Sequence, residues 1–373
     1  MFSSRFHWDF RPNRVTGLLA EKRRAGTRVL DLTASNPTHA QLEYPAAIVR
    51  TFEDVRMLRY EPSPAGLLEA REAVSRYYSA RGREVGADRI LLTASTSEGY
   101  AYLFKLLTDP GDHVLVPRPS YPLFEFLATM ENVGVRQYPL VYDGGWSIDL
   151  DALRAMITGR TRAIVLVNPN NPTGSYVSRA EWDALAEMGV PLISDEVFSD
   201  YAFAGHEHPP GAATYTMSGL SKVAGLPQMK LGWIVVDGPE RRDAMEKLEW
   251  IADTYLSVSA PVQYAASRLL EVGDAVQRQI RARTAANLAY AREAFADSAA
   301  DVLNVQAGWY IVVKAPRVRS EEEWTLELLE RGDVLVQPGY FYDFESEAFL
   351  IISLLTPPAV FREGVGRLKK RLP

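Results

Sequence analysis

The chain contains no cysteine, and this absence removes several kinds of chemistry. Without a thiol there is no disulfide bond, no cysteine nucleophile and no metal site built on cysteine ligands. Histidine is also scarce, with five residues in 373. The one close pair, His206 and His208, flanks Glu207 in a proline-rich stretch with no third ligand nearby in the sequence, and we expect no metal site.

Long apolar runs and a strong charge of either sign are missing as well. No stretch approaches the roughly 20 apolar residues that cross a bilayer, and residues 1–9 lack the apolar centre of a signal peptide. The formal net charge is -6 with both signs interspersed, so we expect no basic face that would attract a phosphate backbone. These observations predict a cytoplasmic protein that binds neither membranes nor nucleic acids.

Short runs rich in β-branched residues alternate with longer helical patterns through the middle of the chain. This alternation is typical of an α/β protein in which helices flank a mostly parallel central sheet. Helices are predicted over residues 97–107 and 179–187. Buried strands are predicted over residues 90–93, 113–116, 162–167, 190–194 and 231–236.

The pattern changes after Pro261, and the change predicts a second structural unit. A long polar helix is predicted over about 263–296, followed by short strands near 308–313 and 334–336 and a closing helix after residue 358. A chain of 373 residues is long enough for two domains. We predict a large domain over residues 45–262 and a smaller α+β domain formed by residues 1–44 and 263–373.

Lys222 follows a run of small and apolar residues, Ser218-Gly219-Leu220-Ser221. A lysine amine becomes a nucleophile at neutral pH only where its surroundings lower its pKa, and small neighbours leave room for a bulky ring and a phosphate. The run therefore suggests a lysine that holds an aldehyde cofactor as a Schiff base. A solvated surface lysine would fit the same run when it is considered alone.

Three other motifs point to the same crevice. Asn171 and Asp195 fall at or just after the carboxyl ends of two predicted strands, where ligands bind to an open parallel sheet. Thr96 and Ser97 open a predicted helix, whose free N–H groups and positive dipole end favour an anion. Each motif also has an ordinary explanation in turns or helix capping, but their convergence favours a binding site.

In order and spacing these motifs, together with Tyr121 in Pro-Ser-Tyr-Pro, resemble the class I/II aminotransferase family of fold-type I pyridoxal-phosphate enzymes. The resemblance runs from about Asp31 to the C-terminal helix. It implies a pyridoxal-phosphate-dependent transaminase that moves an amino group between an amino acid or amine and a keto acid through Lys222. It also implies a homodimer with shared active sites.

The resemblance further implies how each matching residue holds the cofactor. Asp195 would hydrogen-bond the protonated pyridine nitrogen, Asn171 would donate to the ring oxygen, and Tyr121 would lie against the ring face. The phosphate would be held by residues of several segments, one of them from a second subunit: Thr96, Ser97, Ser221, Lys230 and the partner subunit's Tyr60.

Two departures from the family pattern concern the cofactor. Lys230 stands where an arginine is usual. The lysine keeps a positive charge for the phosphate, but it cannot make the two parallel hydrogen bonds of an arginine guanidinium. Phe198 stands where a tyrosine usually hydrogen-bonds the ring oxygen. Loss of that donor predicts a higher pKa for the imine between lysine and cofactor.

Two further departures concern the substrate. Ile351 stands where an arginine usually binds the substrate α-carboxylate, and Ser35 replaces a glycine. An unpaired anion in a closed site would cost several kcal/mol. Either another cation such as Arg118 or Lys314 takes over, or the substrate lacks a carboxylate at that place.

Other functions fit part of the sequence. β-Elimination by a C–S lyase and decarboxylation would use the same cofactor residues, because one cofactor can support several reactions. A cofactor-binding regulator without enzymatic activity would need a basic DNA-binding segment, and the predicted strand at Asp31 leaves no room for one. A serine hydrolase is disfavoured, since no Gly-x-Ser-x-Gly motif is present.

Overall fold

The computed structural model describes residues 2–6, 8–204 and 213–372. Its helices are α1 (Arg14–Arg24), α2 (Ala47–Arg50), α3 (Leu68–Ser79), α4 (Thr96–Leu107), α5 (Phe124–Met130), α6 (Leu150–Met156), α7 (Arg179–Glu187), α8 (Leu220–Val223), α9 (Arg241–Asp253), α10 (Ala260–Phe295), α11 (Glu321–Gly332) and α12 (Pro358–Lys369).

Its strands are β1 (Leu30–Asp31), β2 (Ile90–Thr93), β3 (His113–Arg118), β4 (Gly134–Tyr142), β5 (Trp146–Ile148), β6 (Thr161–Val167), β7 (Leu192–Asp195), β8 (Tyr215–Gly219), β9 (Gly232–Val236), β10 (Asp301–Val302), β11 (Tyr310–Lys314), β12 (Val334–Leu335), β13 (Gln337–Pro338) and β14 (Phe349–Ser353).

An eight-stranded sheet with the order β2-β9-β8-β7-β6-β3-β4-β5 forms the centre of the large domain. The strands from β8 to β4 run parallel, whereas β9 and β5 are antiparallel to their neighbours. Successive strand residues face opposite sides: Ile164 packs with Leu153 of α6 and Leu185 of α7, and Val165 packs with Leu103 of α4 and Leu248 of α9. The predicted α/β class with a mostly parallel sheet is confirmed.

The later part of the chain forms two smaller sheets. Strands β10, β11, β14 and β13 form an antiparallel sheet in that order, and β1 from the N-terminal arm pairs in parallel with β12. The arm is thus joined to the C-terminal part by this pairing. The domain boundaries themselves stay a prediction, and α10 begins at Ala260 and runs across the predicted boundary between residues 262 and 263.

Helix α10 is 36 residues long and contacts α3 on one side and α12 on the other. It also lies directly against α8. A Cβ atom at Gly273 would be 2.3 Å from the Cβ of Ala224, so only glycine allows this approach. Gln277 Nε2 donates a hydrogen bond of 2.6 Å to the carbonyl of Val223. Among the described residues, no helix is both long and apolar enough to cross a membrane.

Candidate active site

A cavity of about 320 Å³ opens at the carboxyl ends of β6, β7 and β8. These strands are parallel neighbours, so the loops that follow them meet at one edge of the sheet. The cavity brings together eight of the residues predicted for the site: Thr96, Ser97, Tyr121, Asn171, Asp195, Ser221, Lys222 and Lys230. The predicted convergence is therefore observed, while the role of each residue toward a cofactor stays a prediction.

Helix α8 carries Lys222 and begins directly after β8. Gly219 permits this junction, because a Cβ atom there would lie 2.9 Å from the carbonyl oxygen of Leu231. The amide of Leu220 donates to that same oxygen at 2.9 Å. The Tyr201 hydroxyl donates a 2.5 Å hydrogen bond to the carbonyl of Lys222. The backbone at the lysine is thus held from several directions.

The Lys222 amine lies in a partly aromatic environment. Its Nζ atom is 5.3 Å from the ring centre of Trp309 and 5.8 Å from that of Phe198. Burial lowers the pKa of Lys222 below the usual lysine value, and the nearby charge of Asp195 acts in the opposite direction. A lowered pKa leaves more of the amine neutral, which is the form that attacks an aldehyde.

Asp195 ends β7 and is 7% exposed. Burial raises the pKa of Asp195 to about 6. Hydrogen bonds from the Val197 amide at 3.3 Å and the Tyr100 hydroxyl at 3.1 Å act in the opposite direction, as does the charge of Lys222. The raised pKa means that the protein alone stabilises the ionised carboxylate poorly. A cationic ring nitrogen beside it would supply the missing stabilisation.

The loops after β3 and β6 are joined to each other and bring Tyr121 and Asn171 to the cavity. The Ser120 hydroxyl donates to Asn170 Oδ1 at 2.8 Å, and Asn170 Nδ2 donates to the Pro119 carbonyl at 3.0 Å. Asn171 Oδ1 is buried without a hydrogen-bond partner. Buried polar atoms are normally paired, so this oxygen fits a bound group that donates a hydrogen bond to it, while the amide nitrogen is the atom that could donate to a ring oxygen.

The part of the cavity at the start of α4 suits an anion. Thr96 and Ser97 form the first turn of α4, where backbone N–H groups and the helix dipole favour negative charge. The helix is also capped in the ordinary way, since Ser95 Oγ accepts from the Glu98 amide at 3.3 Å. The Ser221 hydroxyl and the Lys230 side chain complete a cradle with the chemistry of a phosphate site.

Tyr60 does not line this cavity. It is 81% exposed and lies in a separate concave surface with Ser257 and Gln263. Within one chain it is therefore not part of the site, and its action from a second subunit stays a prediction.

The two suggested replacements for the arginine at position 351 do not line the cavity either. Arg118 forms an ion pair with Glu345. Lys314 ends β11 and is exposed. Ile351 itself is fully buried and lies across from Val312 in the antiparallel sheet.

No metal site is found in the part of the chain that the structure describes. No group of three or more His, Asp or Glu side chains there could hold an ion. The His206-Glu207-His208 segment lies outside the described residues.

Several lining residues were not predicted from the sequence. Tyr100 could have been found, because it lies one helical turn after Thr96 and therefore on the same face of α4. Tyr310 of β11 had no such local signal, since its place depends on how the smaller sheet packs against the large domain. Leu127 and Val197 also belong to this group.

Comparison with known proteins adds independent findings. The family model for aminotransferase class I and II matches residues 27–368. A glutamate-pyruvate aminotransferase AlaA of Escherichia coli K12 is 32% identical over 259 residues, which cover 64% of this chain and 63% of the relative. The chain thus spans somewhat less than two thirds of that relative's length.

Two further similarities extend over more of the chain. The AlaA protein of Haemophilus influenzae is 28% identical over 357 residues, covering 88% of this chain and 87% of the relative. The solved structure of an alanine aminotransferase from Pyrococcus furiosus matches with a TM-score of 0.88 over 100% of this chain and 99% of that chain. At 23% identity, the latter similarity concerns the fold alone.

Proposed function

Because the chain belongs to the class I and II aminotransferase family, we propose that it is a pyridoxal-phosphate-dependent transaminase with Lys222 as its catalytic lysine. The observation that carries this proposal is the cavity itself. One lysine amine with a lowered pKa, one buried carboxylate and one unpaired buried amide face the same space, next to a cradle suited to a phosphate.

In this proposal, seven residues bind the cofactor and Lys222 transfers the proton. Thr96, Ser97, Ser221 and Lys230 would bind the phosphate, Asp195 would face the ring nitrogen, Asn171 the ring oxygen and Tyr121 the ring face. When bound, pyridoxal phosphate supplies an aldehyde that takes up an amino group and a ring that accepts electrons from the substrate carbon.

Lys222 would act first as the attachment point and then as the general base. Its Nζ atom, once displaced by the substrate amine, takes the proton from the amine-bearing carbon and returns a proton on the other side of the transferred nitrogen. The low polarity contributed by Trp309 and Phe198 favours the neutral amine that this step needs. The hydrogen bonds to the carbonyls of Lys222 and Val223 limit the movement of the lysine backbone.

A test is to load the purified protein with pyridoxal phosphate, reduce it with borohydride and map the modified peptide. We expect the label on Lys222. Lys230 provides an internal comparison, since it lines the same cavity but lies at the proposed phosphate end. Unreduced protein is then mixed with a broad panel of amines while the cofactor absorbance is followed. Label elsewhere, or no spectral change with any amine, would contradict the proposal.

A homodimer with shared sites is part of the same proposal. Val55, Leu58 and Tyr60 are each more than two thirds exposed, and they follow one another closely along a single segment. Such a group of exposed apolar side chains favours a protein partner. We expect light scattering to give twice the chain mass, and Leu58→Glu to lower it to that of one chain. A wild-type monomer that binds the cofactor fully would overturn the shared-site arrangement.

The cytoplasmic location expected from the sequence stays a prediction.

A further inference from the structure

The cavity is lined by few charged residues. Among the described lining residues, the cations are Lys222 and Lys230 and the anion is Asp195. Lys222 lies beside Asp195, and Lys230 belongs to the cradle at the first turn of α4. Both cations therefore already have a partner on the large-domain side of the cavity, namely Asp195 for Lys222 and the proposed phosphate site for Lys230.

The wall of the cavity that includes Tyr310 of β11 is neutral. Ser35, Val197, Phe198 and Tyr310 contribute to it, and the Ser35 hydroxyl lies near that of Tyr310. Burial raises the pKa of Tyr310 to about 12, so the phenol is uncharged at neutral pH. This wall offers a ligand aromatic surface and two hydroxyls.

Ile351 and its sheet neighbours next to this wall carry no charge. Ile351 is fully buried and belongs to the same apolar cluster as Phe198 and Tyr310. Across the sheet from it lie Val312 and Gln337. The Gln337 amide oxygen already accepts a 2.5 Å hydrogen bond from the Tyr342 hydroxyl.

Two nearby cations do not line the cavity. Arg118 pairs with Glu345 through its terminal nitrogen, while its buried Nε atom has no hydrogen-bond partner, and Lys314 is exposed at the end of β11. A carboxylate against Ser35 and Tyr310 would lose its water and gain only hydroxyl contacts. Burial of an ion under these conditions is strongly unfavourable.

From this distribution, and resting on the proposed amino transfer, we infer that the substrates carry no carboxylate on the carbon that bears the transferred nitrogen. The donors are neutral primary amines and amino alcohols, whose hydroxyl can exchange hydrogen bonds with Ser35 and Tyr310. The C–N bond of the donor breaks to leave an aldehyde or ketone. A new C–N bond forms on a second aldehyde or ketone, which receives the amino group and the hydrogen that the donor carbon loses.

The acceptor reacts against the same neutral wall. If an acceptor carries a carboxylate, we therefore expect that group on a carbon that is not directly bonded to the reacting carbonyl. This differs from glutamate and pyruvate, for which the AlaA relatives are named and which both carry a carboxylate next to the reacting carbon.

The test compares matched donors that differ only at this group. Protein loaded with pyridoxal phosphate is mixed with L-phenylalaninol or L-phenylalanine, and with L-alaninol or L-alanine, and the rate of the cofactor's spectral change is measured for each. We expect each amino alcohol to react about 100-fold faster than its amino acid, or more, because only the acid brings an unpaired charge. Equal rates, or faster amino acids, would overturn the inference and leave the proposed transamination standing.

Binding without reaction provides a second readout. The dissociation constants of 3-phenylpropanol and 3-phenylpropanoate for the loaded protein are measured by calorimetry, and we expect the neutral compound to bind more tightly. If neither amine class reacts but the neutral compound binds better, the proposed transamination fails while the neutral wall is supported. Tighter binding of the acid would overturn the inference.

A variant tests the wall directly. Ile351→Arg adds a cation behind Tyr310 and is expected to shift the ratio of the two rates toward the amino acid by at least about tenfold. Ile351→Met is the matched control, since it lengthens the side chain without a charge and should keep the wild-type ratio. If the arginine variant does not fold, the wild-type donor comparison decides the question. An arginine variant that folds and keeps the wild-type ratio would count against the inference.

Discussion

The two sides of the cavity differ in the kind of ligand group that each can hold. The large-domain side presents Lys222, Asp195, Lys230 and the first turn of α4, which together suit a charged cofactor. The side toward β11 presents hydroxyls and aromatic rings. In the proposed function, the cofactor is therefore bound by one side of the cavity and the substrate is selected by the other, and the family resemblance covers the first side more fully than the second.

The largest expected effect comes from removing the amine on the charged side. Lys222→Ala should lower turnover about 10⁴-fold or more, because attachment of the cofactor and proton transfer are lost together. Borohydride reduction should then leave no cofactor bound to the protein. Lys247→Ala, at an exposed lysine of α9, is the control and should behave as wild type. Full activity of the Lys222 variant would erase the proposed distinction between the two sides.

The next effect concerns Asp195. Asp195→Asn keeps the shape of the side chain but removes the charge that would face the ring nitrogen. We expect turnover to fall about 100- to 1,000-fold, the size found when a preorganised electrostatic contact is removed. Asp183→Asn, at an exposed carboxylate of α7, serves as the control. A loss below tenfold would show that the charged side does not depend on this carboxylate.

The same substitution should stabilise the cofactor-free protein. Because the folded pKa of Asp195 is about 6 and the reference value is 3.8, the folded state holds a proton more tightly than the unfolded chain, and this group lowers stability as pH rises between those values. The advantage of Asp195→Asn in unfolding free energy should therefore grow from pH 4 to pH 6, then level off at up to about 3 kcal/mol. Urea unfolding across this range measures it, and a constant difference would contradict the raised pKa.

The smallest effect concerns Asn171. Its buried Oδ1 atom has no partner in the protein, so Asn171→Ala should leave the cofactor-free protein unchanged or stabilise it by up to about 1 kcal/mol. The affinity for pyridoxal phosphate should fall, because the proposed contact to the ring oxygen is lost. Thermal unfolding with and without cofactor measures both changes. A variant that is destabilised without cofactor would show that the amide has a structural partner.

Much of the charged side could be predicted from the sequence, because its signals are local. Asp195 ends a buried strand and Lys222 follows a run of small residues. The meeting of parallel strand ends then brings such segments together. Helix α7 could also be predicted to the residue, since Ser178 and Glu181 form a capping box at its start.

The neutral side could not be predicted in the same way. The place of Tyr310 and Ile351 depends on the register of β11 against β14, and strand register is a non-local property. Strand β4 was missed because Arg136 and Pro139 interrupt its apolar pattern, and β8 because it begins with polar residues such as Thr216. Ile351, in the place of the usual arginine, did indicate from the sequence that the substrate side departs from the family pattern.

The close contact of α10 with α8 at Gly273 has a mechanical consequence. Helix α10 spans about 54 Å, and it touches the lysine-bearing segment as well as α3 and α12. A tilt of α10 would push on Ala224, two residues after Lys222, and so displace the reactive nitrogen. The position of α10 and the position of the Lys222 amine are therefore mechanically coupled through this contact.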